Sequence, residues 1–287
     1  MLTVNIIGAG AVGQTLGHLL AQQGVAKILG VVNQHIATAE IATQFMGQGQ
    51  AYASIDALPH ADITMVTTPD NRISDVAIQL LQNSNLQPDA IVLHCSGPRS
   101  SDDLAGLHER GILVASIHPM MSFVRPQISV AQFANTLCAL EGDPNAVETI
   151  TALFTAIGAV VYPIKKDKKA LYHAAAVFAS NYQITMAQHA FDCFIEAGVP
   201  GQRAQALVTT LMQTVVHNMA HVAEPKKALT GPLQRGDSTA VQAHLHALSD
   251  PDAQALYRKV GQATLPLTNL ETTLRDVLFN ILTADAK

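Results

Sequence analysis

The chain has little charge, no basic excess and no cysteine framework. Of its 287 residues 14% are charged, with 17 Lys and Arg against 22 Asp and Glu, for a formal net charge of −5. A nucleic-acid surface needs a basic excess, so this balance argues against one. An anionic ligand must instead be held by local dipoles and a few basic side chains. The three cysteines, Cys95, Cys138 and Cys193, are scattered with no C-x-x-C spacing. An odd count without a framework points to a reducing, cytoplasmic setting. No uncharged apolar run is long enough to cross a bilayer, so no membrane partner is expected. The N-terminus enters a strand at once, which leaves no room for a signal peptide. There is no repeat and no low-complexity segment. Against these absences stands a hydrophobic content of 48% over 287 residues, enough for a large core and suited to two domains.

The most informative stretch is the first seventeen residues. Val4-Asn5-Ile6-Ile7 is an apolar, β-rich run that stops at Gly8-Ala9-Gly10-Ala11-Val12-Gly13, where a helical pattern of Val12, Leu16, Leu19 and Leu20 begins. Strand, G-x-G-x-x-G and helix form the dinucleotide-binding arrangement. Gly8 serves the tight turn, Gly10 lets the backbone approach a pyrophosphate, and Gly13 lets the helix pack on its strand. The N–H groups at the helix start, at Ala11 and Val12, then face the phosphates. The competing reading is a glycine-rich turn with no ligand.

Residues 1–163 alternate between short apolar runs and helical patterns, the signature of βαβ units. The strands read at 3–7, 27–32, 63–67, 90–94, 113–117, 136–140 and 159–162, with a short one near 50–52. Helical patterns fill 12–23, 36–46, 74–82, 102–109 and 146–157. After Pro163 the strands end. Residues 168–197 read as one long helix stopped by Gly198 and Pro200, and further helices read at 202–222, 238–248, 252–264 and 270–283. The expected architecture is α/β: a doubly wound, mostly parallel Rossmann sheet over 1–163, then an all-helical substrate and dimerisation domain over 164–287.

Candidate site residues cluster at the expected strand ends. The second strand closes on Asn33-Gln34-His35, where an NAD enzyme usually carries a carboxylate for the ribose 2′-hydroxyl. A carboxylate would repel a 2′-phosphate, whereas Asn33, Gln34 and His35 can donate to one, which favours NADP(H). The alternative is that they cap the strand and face water. Thr67-Thr68-Pro69 closes the fourth strand and suits the ribose and nicotinamide side. His94-Cys95-Ser96-Gly97 and Ser116-Ile117-His118-Pro119 close the next two. Such histidines are either catalysts or hydrogen-bonded structural residues, and Cys95, with no adjacent base, reads as a small buried residue.

The long helix opens on Lys165-Lys166-Asp167-Lys168-Lys169 and continues through Tyr172 and His173 into small residues. At 3.6 residues per turn His173, Val177, Ser180 and Asn181 share a side, a polar stripe suited to a cleft wall. The lysines oppose the helix dipole, so something else must favour them there. Leu229-Thr230-Gly231-Pro232 through Arg235-Gly236-Asp237 is an ordered loop before a helix, with Asp237 a candidate N-cap. Arg235 is then free for a substrate anion, or is pinned to Asp237. His217 and His221 have helical metal-ligand spacing but no third ligand, and no metal site is expected. Leu207, Val208, Leu211, Met212, Val215 and Val216 on one helix, and Leu274, Val277, Leu278 and Ile281 on another, form apolar faces. They serve either an internal core or a homodimer.

The architecture resembles the 6-phosphogluconate dehydrogenase-like superfamily. More closely, His118-Pro119-Met120-Met121-Ser122-Phe123, the run Tyr172 to Asn181, and Leu229-Thr230-Gly231-Pro232 with Arg235-Gly236-Asp237 resemble a bacterial family of Rossmann-like proteins with an uncharacterised helical C-terminal domain. That resemblance implies an NADP(H)-dependent oxidoreductase acting on a small anionic oxo acid. It implies similarity to ketopantoate reductases and a place in pantothenate biosynthesis. In β-hydroxyacid dehydrogenases a lysine and an asparagine lie early in the first long helix; Lys169 matches the lysine, and Tyr172 and His173 stand where the asparagine is expected. His118-Pro119 matches a step of prephenate dehydrogenases in which the histidine meets the reacting hydroxyl.

The expected roles follow. His173, then His118, would protonate the developing alkoxide, as histidine can be tuned near neutral pH. Asn181 and Ser180 would orient the substrate, Lys169 or Arg235 would hold its carboxylate, and Ser96 would line the site. The rival readings are an imine reductase, a prephenate-type dehydrogenase, and a non-catalytic NADP(H)-binding sensor or scaffold.

Overall fold

The protein is described by a computed structural model over residues 1–284. Contacts divide it into two compact units, Met1–Phe178 and Ala179–Lys287. The sequence places the change of character near residue 163; the first unit runs further because it buries Lys169.

The first unit is built on one sheet of eight strands: β1 (Leu2–Ile7), β2 (Ala26–Val32), β3 (Gln50–Tyr52), β4 (Ile63–Val66), β5 (Ile91–His94), β6 (Leu113–Pro119), β7 (Leu137–Gly142) and β8 (Val160–Pro163). Their spatial order is β3-β2-β1-β4-β5-β6-β7-β8. The chain moves outward from β1 to β3 and then returns to the other side of β1 at β4. The point between β1 and β4 is therefore a topological switch, where open α/β sheets leave a crevice outside the carboxyl ends. All pairings are parallel except β6 with β7. β7 runs antiparallel to its neighbour and β8 follows it. Apolar runs reveal strands but not their direction, so this reversal was not legible.

Helices α1 (Ala11–Gln22), α2 (Ile36–Met46), α3 (Ile73–Gln82), α4 (Pro126–Gln132) and α5 (Pro144–Ala156) accompany the sheet. One core joins Val4, Ile6, Leu16, Leu20 and Ile28 to Phe133 and Phe154; a second joins Ile7, Val66, Val92 and Val114 to Leu80 and Leu104. Strands buried on both faces explain the continuous apolar runs. Between β1 and β8 two helical readings change. Residues Ser101–Arg110 form a 3-10 stretch, whose buried residues Ser101, Leu104 and Leu107 recur every third position. The seven residues of α4 were not anticipated, being too short to show a helical period.

The expected single helix over 168–197 is two: α6 (Lys169–Ala179) and α7 (Asn181–Glu196). Ser180 leaves helical geometry between them, at φ −128° and ψ −72°. Serine is an indifferent helix former, but no Gly or Pro marks the break, so apolar spacing could not reveal it.

The second unit holds α7, α8 (Gly201–Ala220), α9 (Pro232–Arg235), α10 (Ser238–Ala247), α11 (Pro251–Thr264) and α12 (Thr272–Thr283). Its core is Val241 and Leu245 of α10, Leu278 and Leu282 of α12, and Leu265 in the 3-10 turn Leu265–Leu267 between α11 and α12. Asp237 caps α10 as expected, its carboxylate accepting from the Ala240 N–H at 3.0 Å. Among the described residues, α7 buries no side chain and α8 only Ala204 and Val208. No helix among them is long and apolar enough to cross a membrane.

Candidate active site

The carboxyl edge of the sheet carries two groups of polar residues. Ile7, Val66, His94 and Ser116 are successive rung partners across β1, β4, β5 and β6. The residues just beyond them therefore share one edge: Gly8, Thr67, Cys95 and Ser96, and His118.

The first group surrounds the glycine loop. Gly8 sits at φ +85°, and a Cβ there would lie 2.8 Å from the Thr68 backbone, so only glycine fits. A Cβ on Gly13 would strike the Thr67 hydroxyl, which donates to the Gly8 carbonyl at 2.9 Å. Asn33 reaches back from the end of β2 and accepts the Ala9 N–H through Oδ1 at 2.6 Å. The alternative that Asn33 merely faces water is thereby set aside, while Gln34, His35 and Pro69 are exposed.

These residues fit a dinucleotide diphosphate on four observations. A Cβ on Gly10 would meet nothing closer than 4.0 Å, so the loop's outer face is open. The first turn of α1, beginning at Ala11 and Val12, has no acidic residue. No side chain caps it, so its N–H groups and dipole are available to an anion. The Thr68 hydroxyl is buried without a hydrogen-bond partner among the described residues, an arrangement a native site normally resolves.

The second group is centred on Lys169, the first residue of α6, which is 1% exposed. Its ammonium donates to the Ser96 carbonyl at 2.8 Å and to the Ser116 hydroxyl. These bonds answer why a lysine tolerates a helix N-terminus. Burial pulls its pKa down to about 8, against an upward pull from Glu141. Glu141 is the rung partner of Ser116 and is itself buried, accepting from the Ser101 N–H and hydroxyl, both at 2.8 Å. The neighbouring lysines are surface residues: Lys166 pairs with Asp102 at 3.0 Å and Lys168 with Asp167 at 3.0 Å.

His94 is fully buried and structural. The Ser96 N–H donates to its Nδ1 at 3.2 Å, which leaves the ring hydrogen on Nε2 to donate to the Ser100 carbonyl at 3.0 Å. Burial lowers its pKa to about 4, with Lys169 adding to the shift. Ser96 is likewise occupied, its hydroxyl accepting from the Arg99 N–H at 3.2 Å. Burial pushes the Cys95 thiol up to about 12, in keeping with an inert residue.

His118 and His173 meet edge to face, with ring centroids 6.0 Å apart. Both rings close on Gly97: a Cβ there would collide with His173 and lie 3.1 Å from His118 Nε2. Burial, then Lys169 and His173, lower the His118 pKa to about 4. The Tyr172 hydroxyl lies 3.3 Å from His118 Nδ1, and the Tyr162 hydroxyl donates to it at 3.2 Å. Gly97 and Ser116 were read from the sequence only as members of the strand-end runs, and Tyr162 and Glu141 were not singled out. Their roles depend on pairings between distant strands, and no local motif signals them.

Lys169, Ser96, His118 and His173 thus come together in the first unit. Ser180, Asn181 and Arg235 lie in the second unit. Ser180 donates to Asn181 Oδ1 at 3.0 Å, and Arg235 is exposed at the end of α9. The break at Ser180 interrupts the polar stripe expected to run from His173 to Asn181.

Residues 1–119 match a Rossmann-like domain and residues 136–264 match a domain of unknown function, DUF2520. No curated protein matches the chain. Among solved structures, a Bacteroides fragilis protein named provisionally as an NADP oxidoreductase aligns at TM-score 0.72 and 21% identity, over 92% of this chain and 98% of its own. The Thermotoga maritima protein TM1727 aligns at TM-score 0.71 and 25% identity, over 92% and 97%. An imine reductase from Myxococcus stipitatus, solved with NADP+, aligns at TM-score 0.66 and 17% identity, over 98% of each chain. The chain therefore carries a Rossmann-like domain followed by a DUF2520 domain and is similar in fold to these proteins.

Proposed function

We propose that the chain is a cytoplasmic, NADP(H)-dependent oxidoreductase that reduces the carbonyl of a small anionic oxo acid, with 2-dehydropantoate (ketopantoate) the first substrate to test. The observation that carries this reading is the cluster of Lys169, His118 and His173 at Gly97, on the same sheet edge as a glycine loop fitted to a diphosphate. The names of the Bacteroides fragilis and Myxococcus stipitatus proteins support NADP as the cofactor.

Gly8, Gly10, Ala11, Val12 and Gly13 would hold the diphosphate, and Thr67, Thr68 and Pro69 the nicotinamide side. Asn33 has committed its carbonyl to Ala9, so its amide donor is what remains for a ligand, with Gln34 beside it. A donor suits a 2′-phosphate. When bound, the cofactor supplies hydride to the carbonyl carbon. His173, half-buried at Gly97, gives a proton to the developing alkoxide, and His118 orients its oxygen. The Lys169 ammonium stabilises the negative charge through a dry, low-dielectric site. Ser96 fixes Lys169.

The test measures NADPH and NADH binding by equilibrium dialysis, then single-turnover oxidation of NADPH with ketopantoate and related 2-oxo acids. The expected result is tighter binding of NADPH, and His173→Ala and His118→Ala slowing turnover by about 10²–10⁴-fold. Near-wild-type rates in both variants would remove their assignment. Binding without turnover on any substrate would favour a sensor or scaffold. An imine reductase is the second reading, favoured by the alignment over 98% of both chains with the Myxococcus stipitatus enzyme. Pyrroline-5-carboxylate and prephenate in the same assay separate it and the prephenate-type alternative. We further propose a homodimer through the exposed faces of α7, α8 and α12.

A further inference from the structure

We propose that Tyr162 and Tyr172 form a hydroxyl relay that holds His118 in the tautomer with its hydrogen on Nε2, so that His118 offers a donor to a ligand atom at Gly97. The relay is built by strand register. His118 pairs with Ala139, and Ala139 pairs with Tyr162, so β6, β7 and β8 bring the histidine and the tyrosine onto one rung. Tyr172 reaches over that rung from the first turn of α6.

The Tyr162 hydroxyl donates to the Tyr172 oxygen at 3.2 Å. Tyr172 then has one hydrogen to give and two acceptors within reach, His118 Nδ1 at 3.3 Å and the Met120 sulfur at 3.9 Å. A thioether is a weak acceptor and an imidazole nitrogen a strong one, so the hydrogen goes to Nδ1. Burial raises the Tyr172 pKa, so the phenol keeps its hydrogen. Burial beside Lys169 and His173 keeps His118 neutral at physiological pH. A neutral ring carries one hydrogen; with Nδ1 accepting, that hydrogen is on Nε2. Nε2 is the His118 atom that faces Gly97, 3.1 Å from where a Cβ would stand and beside the His173 ring.

The consequence for substrate rests on the reductase reading above. An Nε2–H suits the lone pairs of a carbonyl oxygen. It opposes the N–H of a protonated imine, which needs an acceptor at the same place. Tyr162 and Tyr172 are thus positioning residues that set a preference for C=O over C=N.

The experiment is imidazole ¹⁵N NMR on the full-length protein at pH 7, with the His118 signals assigned from His118→Gln. Wild type should show a protonated Nε2 and an unprotonated Nδ1. Tyr172→Phe, which keeps the ring and removes the hydroxyl, should turn this into a mixture of tautomers. Tyr162→Phe should do the same more weakly and covers the case in which Tyr172→Phe does not fold. In the turnover assay Tyr172→Phe should lower kcat about tenfold, one hydrogen bond's worth, without changing KM for NADPH. Hydrogen on Nδ1 in wild type, or an unchanged pattern in both variants, would overturn the relay. If the pattern is as expected and no nucleotide binds, the tautomer stands and the reductase reading falls.

Discussion

His94 shows how two histidines at equivalent strand ends come to different uses. Both lie at the carboxyl edge and both are held neutral by burial. His94 gives each ring nitrogen to the main chain around Ser96 and Ser100, and so shapes the loop that carries Ser96 and Gly97. His118 gives one nitrogen to Tyr172 and turns the other to Gly97. The strand-end position of each was legible in the sequence; the difference was not, because it depends on what β6, β8 and α6 place beside each ring. The His94 pKa falls from 6.5 to about 4 on folding. Its folded value lies below its unfolded one, so the unfolded chain takes up the proton first as pH drops. Stability present above pH 6.5 is lost on the way to pH 4, by about 3 kcal/mol from this residue. Urea midpoints across that range should show the loss in wild type, and a shallower one in His94→Asn. Parallel profiles for the two proteins would mean that His94 is not the group responsible.

At the scale of elements, the contact between β7 and the 3-10 stretch Ser101–Arg110 sets the charge of the site. Glu141 binds Ser101 through both oxygens and faces the same buried region as Lys169. Its negative charge opposes the burial that draws the lysine down to about 8. On the proposed mechanism the rate falls as pH rises through that value, since Lys169 then loses its charge. Removing the carboxylate takes away an upward pull, so in Glu141→Gln the alkaline limb should move to lower pH. Glu141→Ala should also cost about 1–3 kcal/mol of stability, because the Ser101 N–H is left buried and unpaired. A pH–rate profile and a urea titration check the two effects, and an alkaline limb that stays in place removes Glu141 from the account. All eight strands could be read from apolar runs, and the glycine loop from its spacing. The partners of Lys169 could not, since β5, β6 and β7 supply them from scattered positions. The lysine itself stood in the sequence as one of four in a basic run, singled out by the resemblance to β-hydroxyacid dehydrogenases.

For the whole molecule, the uneven covering of apolar surface is the feature that bears on assembly. In the second unit, Val208 and Leu278 are buried as a core reading requires, while Leu207, Leu211, Val215, Val216, Leu274 and Val277 remain exposed. Exposed apolar faces of this extent mark interaction surfaces. Sedimentation velocity at micromolar concentration should show a species of twice 30.4 kDa. Leu211→Glu with Val215→Glu should shift it to the single-chain mass, and a wild-type monomer would refute the dimer.

The reversal of β7 also fixes a phase. Because β7 and β8 descend from the carboxyl edge, α6 climbs back toward it, delivering Lys169 at the level of Ser116 and then Tyr172 and His173 at the level of His118. The three residues share a face only through spacings of three and four. One residue inserted between Ala170 and Leu171 would rotate the two rings by about 100° away from the lysine and dismantle the cluster. Over those few positions the length of the chain, as much as its chemistry, is under constraint.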